Sequence, residues 1–124
     1  GDILIFTRND PPAQKAEKLR EKGATVISMG GSASGIDLKK SMFWLAENEV
    51  SSVLVEGGGR VFTSFLEKGL VDKLLLSVSP KLIGGSAAVG WFQGRGAAGV
   101  AESLPFKKNR IFEIGGDTII EWYL

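Results

Sequence analysis

Three short apolar runs, each followed by a helical pattern, occupy the first half of the chain and constrain its fold more than any other feature. The runs cover residues 3–6, 24–29 and 52–55. A continuous apolar run between turn residues is typical of a strand that is covered on both faces. Because strands and helices alternate, we expect right-handed crossovers and a parallel sheet with helices on both faces.

The first two helical patterns carry start and stop signals. Asp10 can cap the first helix, Pro11 fits its first position, and Gly23 ends it. Asp37 can cap the second helix. The residues of the second helix that we expect to face the core are Leu38, Met42, Leu45 and Ala46.

The second half of the chain changes character. Residues 73–78 are expected to form a strand, and residues 80–99 a glycine-rich loop. Residues 110–114 and 118–123 flank Gly115-Gly116-Asp117, a sequence that suits a hairpin turn. The length of 124 residues fits a single domain, 1–124, of the α/β class, in which a parallel start is followed by an antiparallel end.

The composition argues against several classes of function. The chain has 15 Lys and Arg against 14 Asp and Glu, so bulk charge does not favour binding to nucleic acid or to a membrane surface. Histidine and cysteine are absent, which removes disulfides, a Ser-His triad and the commonest metal ligands, and we predict no metal site. No apolar run approaches the roughly 18 residues of a membrane span, and we expect a cytoplasmic protein.

The junction after the third apolar run is the first candidate site. Glu56 is followed by Gly57, Gly58 and Gly59, and then by a helical pattern over residues 61–66. Glycine lets backbone approach a ligand closely, a helix start attracts phosphate, and ligands bind beyond the carboxyl ends of parallel strands. The spacing matches neither the dinucleotide fingerprint nor the triphosphatase loop. The alternative is a tight turn in which Glu56 is only a helix-end charge.

A second candidate site follows the first apolar run. Thr7, Arg8 and Asn9 come at the carboxyl end of the first predicted strand. A hydroxyl and a guanidinium there could hold a phosphate monoester, because Arg offers a planar fork of donors. The alternative is an exposed loop with an ordinary cation. Since both candidate loops leave parallel strands, they could serve one extended ligand.

Several blocks of the sequence together resemble a known family. The blocks are LVEGGG at 54–59, SFL at 64–66, GLVDK at 69–73, SPKLIGG at 79–85 and IGGDTII at 114–120. They are similar to the reductase domain of the bifunctional deaminase/reductase of riboflavin biosynthesis. That resemblance implies a three-layer α/β/α, dihydrofolate reductase-like fold with parallel central strands and a C-terminal antiparallel hairpin.

The resemblance also implies an activity, namely NADPH-dependent reduction of 5-amino-6-(5-phosphoribosylamino)uracil to its ribitylamino form. Glu56 matches the family's substrate-contacting glutamate, and Thr7 matches a position near the adenosine ribose and its 2′-phosphate. Arg8 is added to the cofactor site on physical grounds. The remaining residues implied to bind NADP are Gly57, Gly58, Gly59, Arg60, Val61, Phe62, Thr63 and Ser64. No catalytic acid or base is expected, because hydride transfer depends mostly on positioning.

The chain departs from the family at its start. The family domain opens with further strands that carry a Ser-Leu-Asp-Gly-like motif of the cofactor site and the arginines that hold the substrate phosphate. None of these precedes Ile3, and no zinc-binding deaminase domain is present. We therefore expect an N-terminally truncated domain that keeps part of the NADP site, lacks most of the site for its phosphoribosylaminopyrimidine substrate, and turns over poorly.

Two other interpretations stay open. One is a reductase of the same fold that acts on a related pyrimidine or on a pteridine. The other is a non-catalytic α/β domain in which the glycine loops are only turns and the sheet mediates self-association. In each case we expect a homodimer, because exposed sheet edges favour pairing with a second copy.

Overall fold

The computed structural model describes residues 1–9, 11–33, 35–94 and 96–124, and of Lys108 only the backbone. These residues form two compact units, a first unit over Gly1–Leu54 and a second unit over Val55–Leu124. The single domain expected over residues 1–124 stays a prediction. No helix among the described residues has the length and apolar character needed to span a bilayer.

The first unit contains a parallel strand pair joined by a helical crossover. Its elements are β1 (Ile3–Thr7), α1 (Ala13–Glu21), β2 (Ala24–Ser28), β3 (Gly31–Ser32), β4 (Gly35–Ile36) and α2 (Leu38–Glu47). β1 and β2 pair in parallel, from Ile3 opposite Ala24 to Thr7 opposite Ser28, which confirms the predicted parallel start. β3 and β4 form a short antiparallel hairpin.

The core of the first unit is built from small and flexible side chains. Ala16, Ala24 and Met29 are buried. The two alanines allow α1 to lie close to β2, because a short side chain leaves little bulk between a helix and a strand. The rings of Phe6 and Trp44 meet edge to face, with centroids 5.7 Å apart, and extend this apolar cluster from β1 to α2.

The start of α1 differs from the prediction. The helix begins at Ala13 after Pro12, so the expectation that Pro11 occupies its first position is wrong. The physical reason is that a residue before a proline is driven away from helical backbone angles, and Pro11 precedes Pro12. Asp10, the predicted cap, lies outside the described residues.

The start of α2 agrees with the prediction. Asp37 is the N-cap residue, and its Oδ1 accepts a hydrogen bond from the Lys40 N–H at 3.0 Å. One detail of the predicted inner face is wrong, because Ala46 is exposed. Ser41 is buried instead, and its hydroxyl donates to the Asp37 carbonyl at 2.8 Å.

The predicted third parallel strand is not formed. Residues 52–55 pair with no strand among the residues that the structure describes. Val53 and Leu54 are 46% and 77% exposed. An apolar run becomes a strand only when a neighbouring strand takes up its backbone hydrogen bonds, and here β1 and β2 form a two-stranded sheet without it.

The described residues of the second unit form an α-helix, a 3₁₀ turn and an antiparallel sheet. Its elements are α3 (Gly59–Glu67), β5 (Lys73–Val78), a 3₁₀ turn (Val100–Glu102), β6 (Lys108–Ile114) and β7 (Asp117–Tyr123). The strand order is β5-β7-β6, and all pairs are antiparallel. Gly115 and Gly116 both have positive φ, 60° and 89°, as a tight hairpin turn between β6 and β7 requires. The predicted antiparallel end is confirmed.

A polar cluster crosses this sheet from β5 to β7. Lys73 Nζ lies 3.3 Å from Glu121 Oε2, and the Tyr123 hydroxyl donates to Glu121 Oε1 at 2.6 Å. The hydrogen bond from Tyr123, helped by Lys73, lowers the pKa of Glu121 below its usual range. Hydrogen bonding to Tyr123 and the charge of Glu121 raise the pKa of Lys73. The cluster therefore favours the ionised forms of both side chains.

Candidate functional site

The glycine junction forms the start of α3. Gly58 is the N-cap residue, with φ −81° and ψ 168°, and its carbonyl accepts from the N–H groups of Val61 and Phe62 at 2.9 and 3.3 Å. Gly59 and Arg60 precede these donors, so their N–H groups have no acceptor inside the helix. No side chain caps α3. The helix start therefore presents backbone donors and the positive end of its dipole, as a phosphate group requires.

The outer side of this turn is open at Gly58. A Cβ built on Gly58 would meet no heavy atom within 4 Å, outside its chain neighbours. A Cβ on Gly57 would instead lie 3.2 to 3.4 Å from the side chain of Val61. Gly58 is thus the point at which the chain leaves room for a ligand to approach the backbone.

The inner side of the turn is packed against residues 90–94. Gly59 is buried, and a Cβ there would lie 2.9 Å from Gln93 Cγ and 3.0 Å from the carbonyl oxygens of Gly90 and Trp91. Thr63 Oγ1 accepts a hydrogen bond from the Gln93 N–H at 2.9 Å and donates to the Gly59 carbonyl at 2.7 Å. The Gly59 carbonyl and the Thr63 side chain therefore make contacts within the second unit.

The other predicted residues near this turn, the predicted substrate-binding Glu56 included, lie outward or at intermediate depth. Glu56, Arg60 and Val61 are exposed, whereas Phe62 and Ser64 are partly buried. The Ser64 hydroxyl donates to the Arg60 carbonyl at 2.8 Å. The structure thus separates exposed residues, which include a carboxylate and a guanidinium, from residues that pack on the protein. The roles assigned to these residues stay predictions.

The second candidate loop, after β1, is tied to its surroundings. Thr7 Oγ1 donates to the Ile27 carbonyl at 3.4 Å, and the Ser28 hydroxyl donates to the Arg8 carbonyl at 3.3 Å. Arg8 Nη1 donates to the Ser32 carbonyl at 3.2 Å. Among the described residues this bond uses one of the five N–H donors of Arg8, and the side chain is exposed. The hydrogen bond to Ser32 therefore holds the cationic side chain of Arg8 in place.

Thr7 and Arg8 belong to the first unit, and residues 56–64 belong to the second unit. In each unit the predicted site residues form one continuous stretch of the chain. The expectation that both loops serve one extended ligand stays a prediction.

Two parts of these sites were not foreseen from the sequence. The β3-β4 hairpin supplies the carbonyl that holds Arg8, and Gly30 and Gly31 at its start have φ of 74° and 139°. Adjacent glycines after an apolar run could have signalled this turn. Residues 90–94 pack on α3, and Gln93 lies 30 positions after Thr63 in the chain. A local sequence pattern cannot predict a contact between such distant segments.

A cavity lies next to this helix contact, within the second unit. It has a volume of about 570 Å³, and its lining combines apolar side chains of α3 and of the segment between β5 and β6 with two carboxylates. The principal lining side chains are Leu66, Glu67, Phe92, Glu102, Leu104 and Phe106.

Comparison with known proteins finds a matching family and relatives along almost the whole chain. The family described as the RibD C-terminal domain matches residues 1–120. The chain is 36% identical over 117 residues to the riboflavin biosynthesis protein RibD of Aquifex aeolicus, covering 94% of the chain and 30% of that protein. It is 29% identical over 119 residues to the 2,5-diamino-6-ribosylamino-4(3H)-pyrimidinone 5′-phosphate reductase of the same organism, covering 96% and 52%. The chain thus spans about a third to a half of these relatives.

Solved structures of similar proteins agree on the fold. Acinetobacter baumannii RibD, form 2, superposes with a TM-score of 0.71 at 20% identity, covering 97% of the chain and 36% of that structure. A pyrimidine reductase-like protein of Corynebacterium diphtheriae gives a TM-score of 0.68 at 19% identity, covering 97% and 49%. At such identities the likeness shows the fold alone, and it confirms the predicted α/β, dihydrofolate reductase-like class.

Proposed function

The chain belongs to the RibD C-terminal domain family, and from this membership we propose that it carries the cofactor-binding part of an NADPH-dependent reductase of riboflavin biosynthesis. The names of its relatives support a reductase, since two of them are pyrimidinone 5′-phosphate reductases. When bound, NADPH supplies the hydride that reduces the ribose carbon of the substrate. The residues of this chain act by binding and orienting the two reactants.

One observation carries the proposal for the cofactor. The turn at Gly58 is open on its outer side, and the N–H groups of Gly59 and Arg60 have no acceptor inside α3. A diphosphate needs close access to backbone donors at a helix start, and this turn provides both. We assign the diphosphate to Gly57, Gly58 and the start of α3, with the exposed Arg60 as a nearby cation.

We assign the remaining groups by their charge. Arg8, anchored on the Ser32 carbonyl, is suited to the 2′-phosphate that distinguishes NADP from NAD, with Thr7 beside it. Glu56 is exposed, and its carboxylate can accept hydrogen bonds from the amino and hydroxyl groups of a phosphoribosylaminopyrimidine. The homodimer and the cytoplasmic location stay predictions.

The names of the relatives favour a second substrate beside 5-amino-6-(5-phosphoribosylamino)uracil. Two relatives, from Aquifex aeolicus and Methanothermobacter thermautotrophicus, are named for 2,5-diamino-6-ribosylamino-4(3H)-pyrimidinone 5′-phosphate. The two pyrimidines differ in whether position 2 carries an oxygen or an amino group. A single site residue that hydrogen-bonds this position would distinguish them, because an unmatched buried donor or acceptor is unfavourable.

The proposal is tested by calorimetric titration of the 124-residue protein with NADPH and NADH, and then with each pyrimidine in the presence of NADPH. We expect NADPH to bind more tightly than NADH and one pyrimidine to bind more tightly than the other. A pteridine serves as the control ligand of the same general shape. If neither NADPH nor NADH binds at saturating concentration, the proposal is wrong, and a non-catalytic, self-associating domain is the better interpretation.

A further inference from the structure

We propose that Thr63 is a positioning residue: it fastens residues 90–94 to the first turn of α3 and thereby holds the Gly57-Gly58 turn in the shape that accepts a dinucleotide. This inference rests on the proposed function for its ligand. It assigns to Thr63 a role different from direct contact with the cofactor. The contact formed by Gly59, Thr63, Gln93 and Gly94 is called the helix–loop contact below.

The two hydrogen bonds of Thr63 are the first element of the argument. Thr63 is buried, and its hydroxyl donates to the Gly59 carbonyl one turn earlier at 2.7 Å. Ser and Thr hydroxyls in helices often make such a bond. Here the same oxygen also accepts from the Gln93 N–H at 2.9 Å, 30 positions away. The hydroxyl therefore connects the helix start to a second segment.

Close packing of two glycines is the second element. A Cβ on Gly59 would lie 2.9 Å from Gln93 Cγ, and a Cβ on Gly94 would lie 2.8 Å from Thr63 Cγ2. Gly94 also has a φ of 135°, which side-chain-bearing residues rarely adopt. The helix and the loop thus approach more closely than larger residues would allow, and the Thr63 hydroxyl lies within that contact.

The position of Gly59 connects the helix–loop contact to ligand binding. Gly59 follows directly after Gly58, whose outer side is open, while residues 90–94 support Gly59 from the inner side. A turn that is held in place before binding loses less conformational freedom when the ligand arrives, and affinity rises accordingly. Loosening residues 90–94 should therefore weaken dinucleotide binding although Thr63 is buried beneath the turn.

The test compares Thr63→Val, which keeps the shape of the side chain and removes the hydroxyl, with Thr63→Ser, which keeps the hydroxyl. Ser41→Ala is the matched control, because it removes a buried hydroxyl that bonds one turn back to the carbonyl of the N-cap residue Asp37 and, among the described residues, to no second segment. Two quantities are measured: the hydrogen-exchange rate of the Gln93 amide and the NADPH dissociation constant, at a temperature at which circular dichroism shows every variant to be folded.

We expect Thr63→Val to speed exchange at Gln93 and to raise the NADPH dissociation constant, each by about tenfold, the effect of losing roughly one hydrogen bond. Thr63→Ser should stay within about twofold of the parent in both quantities, and Ser41→Ala should leave the dissociation constant unchanged. A second variant, Gly94→Ala, disturbs the same contact from the loop side and should act in the same direction. Because Thr63→Val and Gly94→Ala disrupt one contact, their combined effect should be less than additive.

Three results would overturn the inference. The first is an unchanged NADPH dissociation constant in Thr63→Val when the parent protein binds NADPH. The second is weaker binding with unchanged exchange at Gln93, which would mean that Thr63 acts on the cofactor directly. The third is failure of the parent to bind NADPH, which would overturn the proposed function and the cofactor role of Thr63 together. The Gln93 exchange rates of Thr63→Val and Thr63→Ser would still report on the helix–loop contact in that case.

Discussion

Among single residues, Arg8 and Glu56 are charged side chains to which we assign different ligand groups, the 2′-phosphate of the cofactor and the substrate. Arg8 is held by the Ser32 carbonyl, whereas Glu56 is exposed beside an open turn. Charge-assisted hydrogen bonds to ligands are stronger than neutral ones, so removing either charge should have a measurable and selective effect. The two predictions below use that selectivity.

Replacing Arg8 by Ala should raise the NADPH dissociation constant by about tenfold and leave that of NADH almost unchanged, because only NADPH carries the 2′-phosphate. Calorimetric titration with both dinucleotides measures the difference. Arg20→Ala, an exposed arginine of α1, is the matched control and should change neither constant. Equal losses for NADPH and NADH would remove Arg8 from the 2′-phosphate site.

Replacing Glu56 by Gln should weaken binding of the pyrimidine phosphate by about tenfold, because an amide has one acceptor oxygen where the carboxylate has two and carries no charge. Since Glu56 is exposed, the melting temperature and the NADPH affinity should not change. Glu47→Gln, at the exposed end of α2, is the control. Unaltered pyrimidine binding in Glu56→Gln would show that this carboxylate does not contact the substrate.

At the scale of elements, neighbouring glycines at the start of α3 have opposite surroundings. Gly58→Ala has room for its methyl group and an ordinary φ of −81°, so stability should be retained while NADPH binding weakens by about tenfold.

Gly59→Ala should destabilise the protein by about 1–3 kcal/mol through overpacking against residues 90–94. Helix propensity alone would make Gly59→Ala more stable by about 1 kcal/mol, so urea unfolding distinguishes the two effects. A stabilised Gly59→Ala would contradict the packing seen at α3.

The cluster of Lys73, Glu121 and Tyr123 gives the β5-β7 pair a predictable dependence on pH. The pKa of Glu121 is lowered in the folded protein, so its contribution to stability is present above its usual pKa of 4.5 and is lost as the pH falls through the lower folded value. Glu121→Gln should therefore reduce stability near neutral pH and flatten the loss of stability in acid. Urea unfolding at neutral and acid pH measures this, with Glu113→Gln on β6 as the control.

The pKa of Lys73 is raised, so its contribution is present below its usual pKa of 10.5 and is lost only as the pH rises through the higher folded value. The stability of the parent protein between neutral pH and pH 9 should accordingly owe nothing to titration of Lys73. An acid profile of Glu121→Gln that is identical to that of the parent would contradict the contribution assigned to Glu121.

At the scale of the whole molecule, local signals in the sequence were enough for part of the structure. Alternation of apolar runs and helical patterns predicted β1, α1 and β2, and Gly115-Gly116 predicted the hairpin between β6 and β7. Residues 52–55 were wrongly predicted as a strand, because pairing depends on a neighbour that the run itself does not specify. The contact between Thr63 and Gln93 escaped prediction for the same reason, since it joins segments that are 30 residues apart.

In the candidate site, too, local sequence predicted some features, whereas others depend on packing between distant segments. Glycine spacing and a terminal carboxylate identified the turn at residues 56–59, and the family resemblance gave it a ligand. The sequence could not distinguish Gly58, which is open, from Gly59, which is buried, because that difference comes from residues 90–94 packing on one side of the turn. The structure thus divides the predicted cofactor segment into an accessible side and a supporting side.

Every assignment of a cofactor group depends on NADPH binding at the turn that starts α3. The backbone amide spectrum of the isotope-labelled 124-residue protein during titration with NADPH measures this binding. We expect the amide resonances of Gly58, Gly59 and Arg60 to shift in a saturable way, and those of Gly115 and Gly116 in the β6-β7 hairpin to stay unchanged. If saturating NADPH leaves Gly58, Gly59 and Arg60 unshifted, the cofactor does not bind at this turn.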